Sequence, residues 1–392
     1  MQKVAIVGCG YVAALYAQTF ANHPELQFIG CYDKNPERSK DFESFFKVPK
    51  FETLDALLAS GAEIIANLTN PRDHYTVTKA CLEAGRHVYS EKPLGMTFGE
   101  AQELAAFAKQ KNLRLASAPC NMLSEAAQTM WRAVRDGTLG RVRLVYAEMD
   151  DGMVHLEKYQ DWRTVNEVQW PAKDEFEIGC TYEHAGYHLG ILAQIFGPAR
   201  SVTTYANNLV PEKGKALGSA QVAPDFSVGC IEYASGVVAR LTCSIVAPQD
   251  RSLTIIGDKS RLVLDDVWNY GASLTLHDTV KHYEPPKRDL ASRVRRRMGW
   301  ERPKIEAPKT VPLVREADFQ KPVRAAPMDF CRGIAELAAS IRENRPCRLS
   351  AELAVHITEL TEALQYPKST QTYRLQSSFD PIQPMPWAGF SV

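Results

Sequence analysis

Lys3-Val4-Ala5-Ile6-Val7-Gly8-Cys9-Gly10-Tyr11-Val12-Ala13, KVAIVGCGYVA, is the stretch that decides the fold. Its first five residues read as a fully buried strand, and a helical pattern follows from roughly Ala13 to Asn22. A G-x-G-x-x-A run between a strand and a helix is the context a dinucleotide fingerprint requires. Gly8 permits the tight turn, Gly10 lets the backbone approach a pyrophosphate, and Tyr11 and Val12 complete the loop. Ala13 allows close helix–strand packing, while the helix N-terminus offers unpaired N–H groups to the anion. A second strand, Leu26 to Tyr32, ends at Asp33, about twenty residues beyond the loop, the spacing of the ribose-binding acid. A carboxylate there accepts the ribose 2′-hydroxyl and repels a 2′-phosphate, so NAD is the expected cofactor. Arg38, close by in sequence, keeps NADP open.

The same alternation continues. Thr53 to Ser60 reads as a helix, Glu63 to Leu68 as a strand and His74 to Ala84 as a helix. His87 to Tyr89 is the next strand, Thr97 to Lys111 a helix and Arg114 to Ser117 a strand. Strands and helices repeating at this pitch predict a doubly wound, parallel α/β sheet with helices on both faces. Ligands bind in such sheets at the carboxyl ends of the strands. The glycine loop, Asp33, Thr69-Asn70-Pro71 with His74 behind it, Glu91-Lys92-Pro93 and Pro119 to Asn121 all converge there. Pro93 fixes its own φ and biases Lys92 toward an extended backbone. An ammonium held this way can hydrogen-bond a substrate hydroxyl, and burial is expected to lower its pKa toward working pH. By itself the dipeptide reads as a surface Glu–Lys pair before a turn; its place beside the expected nicotinamide ring shifts the reading.

These residues resemble the Gfo/Idh/MocA family, that of glucose-fructose oxidoreductase and inositol dehydrogenase. The glycine loop, Thr69-Asn70-Pro71 with His74, the run Ala84-Gly85-Arg86-His87-Val88 and Glu91-Lys92-Pro93 carry the likeness through the first ~120 residues. The resemblance implies an NAD(P)-dependent dehydrogenase or reductase acting on a sugar, polyol or nucleotide-sugar carbon. It also implies a Rossmann domain over residues 1–121 and an α+β domain over residues 122–392. The latter would be built on a large, open, mainly antiparallel sheet that pairs with its twin in another subunit. The family places a lysine in the EKP motif, and an aspartate and a histidine four residues apart on a helix. The counterpart here is Glu183-His184-Ala185-Gly186-Tyr187-His188: His188 matches the histidine, but His184 stands where aspartate is usual. Ala118-Pro119-Cys120-Asn121 likewise lacks an arginine that many relatives carry.

The second half has signals of its own. Glu125 to Asp136 reads as a helix and Val142 to Met149 as a strand. A loop dense in Asp150, Asp151, His155, Tyr159, Trp162, Arg163 and Trp170 then follows. Stacked rings and charged groups grip sugars, so Tyr159, Trp162 and Arg163, with Asn121, are candidate substrate contacts; equally, the tryptophans simply pin a long loop. Tyr182 to Phe196 reads as a helix with His184 and His188 one turn apart on one face. They can be packed core histidines, part of a metal site with Cys180 or Glu183, or acid/base groups. With no HExxH and no further ligand cluster, no metal is expected. Given the resemblance, Lys92 and His188 would handle the hydroxyl proton, with His184 orienting or relaying.

From Ser201 the chain is strand-rich, with hairpin signals at Ala234-Ser235-Gly236 and Gly257-Asp258-Lys259. An open sheet of this kind predicts a homodimer or homotetramer. A basic, proline-rich arm spans about residues 283–325, and helices over Asp329 to Asn344 and Ser350 to Leu364 close the chain. Lys+Arg and Asp+Glu both number 46, which argues against a nucleic-acid partner. Nine scattered cysteines suit a reducing compartment. Lys3 leads straight into a strand and no apolar run spans a bilayer, so no signal peptide or transmembrane segment and a cytoplasmic site are expected. Alternatives of a different kind are a non-catalytic nucleotide-binding sensor on the same fold, and a sugar–sugar oxidoreductase with tightly held cofactor.

Overall fold

The computed structural model describes residues 1–218, 222–278, 294, 297–298, 307–367 and 372–389. Five short strands come first: β1 (Gln2–Val7), β2 (Leu26–Tyr32), β3 (Ile64–Asn67), β4 (His87–Ser90) and β5 (Leu115–Ser117). They form a parallel sheet in the order β2-β1-β3-β4-β5. All four residues of β3 are buried, as an unbroken apolar run covered on both faces requires. The covering helices are α1 (Tyr11–Ala17), α2 (Pro36–Phe46), α3 (Leu54–Ala59), α4 (His74–Glu83) and α5 (Phe98–Gln110). Helix α1 is shorter than its apolar pattern suggests, because the chain tightens into a 3₁₀ turn at Phe20–Asn22. Helix α2 lies outside the sequence reading. Its start is nonetheless written locally, with Asn35 accepting from Glu37 N and Pro36 in the first turn. Thr53 caps α3, and Thr97 with Glu100 forms a capping box on α5.

The second unit is a ten-stranded sheet. Its strands are β6 (Val142–Met153), β7 (Ala199–Asn207), β8 (Phe226–Tyr233), β9 (Val238–Ser244), β10 (Val246–Asp250), β11 (Leu253–Gly257), β12 (Ser260–Leu264), β13 (Leu274–Asp278), β14 (Lys309–Val311) and β15 (Tyr373–Arg374). The order is β14-β13-β12-β11-β6-β9-β8-β7-β15, with β10 on the far end of β6. All pairs are antiparallel except β6–β9, so the sheet is mixed. One boundary departs from the sequence reading: strand β6 runs on to Met153 and takes Asp150 and Asp151 out of the expected loop. Strand β9 lies between β8 and β6, and after Ile245 the chain continues as β10 along the far end of β6.

One face of this sheet is packed: Val145, Ala147 and Met149 alternate inward on β6, Ala239, Leu241 and Cys243 on β9. They meet α8 (Cys180–Phe196) and α10 (Ala351–Gln365). The remaining helices are α6 (Glu125–Arg135), α7 (Ala172–Ile178) and α9 (Arg332–Arg342). The opposite face carries exposed Tyr146 and Tyr205, with Arg240 stacked over Tyr146 and paired with Glu148. Helix α10 bridges the two units. Its Ala351, Ala354 and Val355 enter the Rossmann core, while Leu353, Leu360 and Leu364 enter the larger one. Helix α9 does the same at Gly333, where a Cβ would lie 2.2 Å from the Tyr89 hydroxyl. Of the basic arm, residues 283–293, 295–296 and 299–306, which include Arg293, Arg295 and Arg296, lie outside the described residues. All nine cysteines are free thiols. Among the described residues no helix is long and apolar enough to cross a membrane.

Candidate active site

The crevice at the carboxyl end of the parallel sheet is built from backbone turns locked by buried polar groups. Gly8 sits at φ +95°, with room for no side chain: a Cβ would lie 2.6 Å from the Leu68 carbonyl. At Gly10 nothing lies within 4 Å of the Cβ position, so a pyrophosphate can approach that backbone. Ala13 is buried against the sheet. Tyr11 and Val12 are partly buried at the start of α1. Asp33 faces the loop, accepting from Cys9 N and Asn35 N, both at 2.8 Å. Arg38 is exposed on α2. The glycines, the acid and the open space over Gly10 fit a dinucleotide.

His74 is buried and joins the two neighbouring turns. Its Nδ1 is 2.7 Å from the Pro93 carbonyl and its Nε2 is 3.0 Å from the Thr69 carbonyl. Burial pushes its pKa down, so the neutral ring donates to one carbonyl at a time. Asn70 caps the turn at Pro71–Asp73, accepting from Arg72 N. Glu91 accepts from the Tyr16 hydroxyl at 2.6 Å and from Lys92 N at 3.0 Å. The acid of the EKP motif thus shapes the turn. The lysine is paired elsewhere: Lys92 Nζ donates to Glu183 Oε2 at 2.6 Å, with side chains 16% and 10% exposed.

That pairing reverses one expectation. Burial does act to lower the Lys92 pKa, but the Glu183 carboxylate and nearby Glu91 and Glu175 outweigh it, and the pKa is raised. Lys92 is therefore a permanent cation at neutral pH, suited to hold and polarise an oxygen and unsuited to act as a base.

Helix α8 supplies the opposite wall. Gly186 lets it press on the turn before Asn121, since a Cβ there would already lie 3.2 Å from Pro119 Cδ. His184 Nε2 lies 3.4 Å from Glu175 Oε1 and 3.6 Å from Asp151 Oδ2. Burial, with Lys92 and Arg251, pushes the His184 pKa down to about 3, so these contacts join a neutral ring to carboxyls. Burial raises the Asp151 pKa to about 6 against the pull of Arg251, whose Nη1 is 3.3 Å away. The Glu175 pKa is pushed well up by burial and by Glu183. His188 is fully buried one turn on, its Nε2 donating to the Ser252 carbonyl at 3.0 Å; burial lowers its pKa to about 4. Both rings keep a buried Nδ1 with no partner among the described residues.

Asn121 is buried and donates to the carbonyls of Tyr187 and Val267, leaving Oδ1 unpartnered. Tyr159 is buried in a ring cluster with Trp170 and Phe176, and Trp162 packs 5.0 Å from Trp170. Arg163 is exposed. The rings nearest His184 and Tyr187 belong instead to Trp268, 5.6 and 5.0 Å away, under the Arg251 guanidinium at 4.3 Å. Sequence reasoning missed Trp268, Arg251 and Glu175. The first two sit in a strand-rich region with no motif, and Glu175 is on α7, whose helical pattern went unread. Among the described residues no group of three or more His, Cys, Asp or Glu is placed to hold a metal.

Comparison with known proteins agrees with this architecture. A family model described as an oxidoreductase family with an NAD-binding Rossmann fold matches residues 2–118. A GFO/IDH/MocA C-terminal domain model matches residues 127–263. Trans-1,2-dihydrobenzene-1,2-diol dehydrogenase of Mus musculus is 24% identical over 287 residues, covering 72% of this chain and 79% of the relative. Among solved structures, aldose-aldose oxidoreductase from Caulobacter crescentus complexed with glycerol superposes with a TM-score of 0.73 at 17% identity, covering 95% and 99%. The WlbA dehydrogenase from Bordetella pertussis in complex with NADH and UDP-GlcNAcA gives 0.67 at 18% identity, covering 95% and 97%. With residues 2–118 and 127–263 matched, the chain belongs to the Gfo/Idh/MocA oxidoreductase family.

Proposed function

We propose that the protein is an NAD(P)-dependent dehydrogenase or reductase that interconverts a secondary alcohol and a ketone on a sugar, polyol or nucleotide-sugar. The observation that carries this reading is the Lys92–Glu183 pair beside the neutral, buried imidazole of His184, at the carboxyl end of a nucleotide-binding sheet. A bound oxidised nicotinamide would supply the hydride acceptor. The chain's own residues do the rest. The Lys92 ammonium donates to the substrate oxygen and favours the alkoxide-like charge that develops there. An imidazole of α8 takes the hydroxyl proton; His188, at the family histidine's position, is the first candidate, and His184 orients or relays. Asn121 lies beside this group through Tyr187. Asp33 favours NAD as the cofactor, and Arg38 leaves NADP usable.

Relatives support the substrate class by what they are named for: a dihydrodiol, an aldose and a UDP-linked sugar. The exposed sheet face around Tyr146 and Tyr205 supports a homodimer or homotetramer. The test is absorbance of reduced nicotinamide against a panel of diols, aldoses and nucleotide-sugars. Lys92→Met is expected to lower turnover by at least a hundredfold while NAD binding changes little. Unchanged turnover in that variant refutes the assignment. Nicotinamide that co-purifies and resists dialysis would identify the sugar–sugar form of the reaction.

A further inference from the structure

The walls around the EKP turn and helix α8 carry more acid than base, and the cations there are already engaged. Lys92 is held by Glu183 at 2.6 Å, and Arg251 by Asp151 at 3.3 Å and Asp266 at 3.0 Å. Both cations act through space on the His184 ring. Arg251 also lies over Trp268, whose ring packs 5.0 Å from Tyr187. Tyr187 in turn lines one cleft with Glu91, Pro119 and Asn121. Two further carboxyl groups belong to this neighbourhood. Glu91 accepts from the Tyr16 hydroxyl and Lys92 N, and Glu175 lies 3.4 Å from the neutral His184 ring. Among the described residues neither has a lysine or arginine side chain at ion-pair distance.

With Glu175 left aside, two cations face four acids, Glu183, Asp151, Asp266 and Glu91, a formal excess of two negative charges. In a site shielded from water such an excess repels an entering anion. A carboxylate or phosphate would also have to take Lys92 or Arg251 from its present partner, and the stranded acid would keep a desolvated charge. A hydroxyl makes no such demand. An ammonium has three donors, and Glu183 takes one from Lys92. The acids offer acceptors to neighbouring hydroxyls. We propose that the substrate is an uncharged polyhydroxy compound, a free aldose, polyol or diol rather than a sugar acid, sugar phosphate or nucleotide-sugar. Glu183, Asp151 and Asp266 are its specificity-determining residues, because they occupy the cations that an anionic group would need.

The proposal rests on the dehydrogenase reading, and the experiment separates the two. In the panel of diols, aldoses and nucleotide-sugars, a neutral compound is expected to be oxidised fastest; a nucleotide-sugar in first place overturns the proposal. Amine, carboxylate and phosphate derivatives of the best neutral skeleton are then compared. The neutral parent should exceed both anions in kcat/KM by at least about a hundredfold, with the amine within about tenfold of the parent. Anions used as well as the parent overturn the proposal, and so does an amine rejected as strongly as the anions, because size then decides. Asp266→Asn keeps the acceptor for Trp268 N and leaves Arg251 with Asp151 alone. It should raise the carboxylate-to-parent ratio about tenfold, and an unchanged ratio overturns the role of Asp266. Collisional quenching of Trp268 fluorescence, taken as wild type minus Trp268→Phe, needs no substrate. Caesium should quench at least about twice as strongly as iodide, and less so in Asp266→Asn; iodide equal or ahead overturns the proposal. If the wild type oxidises nothing in the panel, the dehydrogenase reading falls, while the quenching ratio still decides the sign of the charge.

Discussion

Replacing Lys92 with methionine should destabilise the protein as well as slow it, and the size of that effect follows from the surroundings of the ammonium. Lys92 is mostly buried, 2.6 Å from Glu183, with Glu91 and Glu175 close by. Removing one member of a buried ion pair leaves the other charge desolvated and costs about 3–5 kcal/mol. Because both side chains keep some solvent contact, the lower end applies, about 3 kcal/mol. At about 1 °C per kcal/mol for a chain of 392 residues, Tm should fall by roughly 3–4 °C. The companion change Glu183→Gln removes the stranded charge. Lys92→Met/Glu183→Gln should therefore regain most of the lost stability while turnover stays lost. Urea midpoints and thermal melts of the four proteins at pH 8 measure the coupling. A single variant within about 0.5 kcal/mol of wild type at pH 8 would show that the charge is solvated, and the argument for a permanently cationic Lys92 would fall with it.

Two further outcomes are expected. Asp33→Asn keeps an acceptor for Cys9 N but removes the charge, so NADP should gain on NAD by about tenfold in Kd, a difference of ~1.4 kcal/mol read by fluorescence titration; an unchanged ratio would mean that Asp33 serves only to hold the glycine loop. His356 accepts from Ala199 N at 3.0 Å through Nε2, which only a neutral ring can do, and burial lowers its pKa to about 4. The unfolded histidine binds its proton first. The stability this group contributes is therefore complete above about pH 6.5 and is lost between about 6.5 and 4, by up to ~3 kcal/mol. His184 and His188 act in the same sense, Asp151 in the opposite one, so His356→Gln should flatten the acid decline of the urea midpoint without abolishing it.

What could be read from the chain was whatever is encoded within one turn, one cap or one strand. The glycine loop, the trailing Asp33, the EKP turn and the capping box at Thr97 each act within a few residues, so their spacing alone positions them. Pro36 following Asn35 was an equally local signal for α2 and went unused. The substrate wall is another matter. Tyr159 and Trp162 have the composition of a carbohydrate grip, yet ring packing against Trp170 and Phe176 claims them, while Trp268 stands by His184. Which aromatic group reaches a site depends on how β6, β10 and β11 register, and a pairing across about a hundred residues leaves no trace in local pattern.

The same distinction explains the charges. The turn by itself draws attention to Lys92, but the direction of its pKa shift is opposite to the one burial alone predicts, because its counter-ion lies ninety-one residues downstream. In the folded chain, burial and pairing act on one lysine in opposite directions, and the carboxylate at 2.6 Å wins. His184 is the converse case. Its two carboxyl neighbours would raise its pKa in water, yet depth and the flanking Lys92 and Arg251 keep the ring neutral. Under the proposed dehydrogenase reading, a fixed cation beside a neutral imidazole would separate the two tasks of the reaction, charge stabilisation and proton acceptance. That separation is produced by where Glu183, Arg251 and Asp151 fall once the two sheets meet, so the acid/base assignment belongs to the tertiary structure.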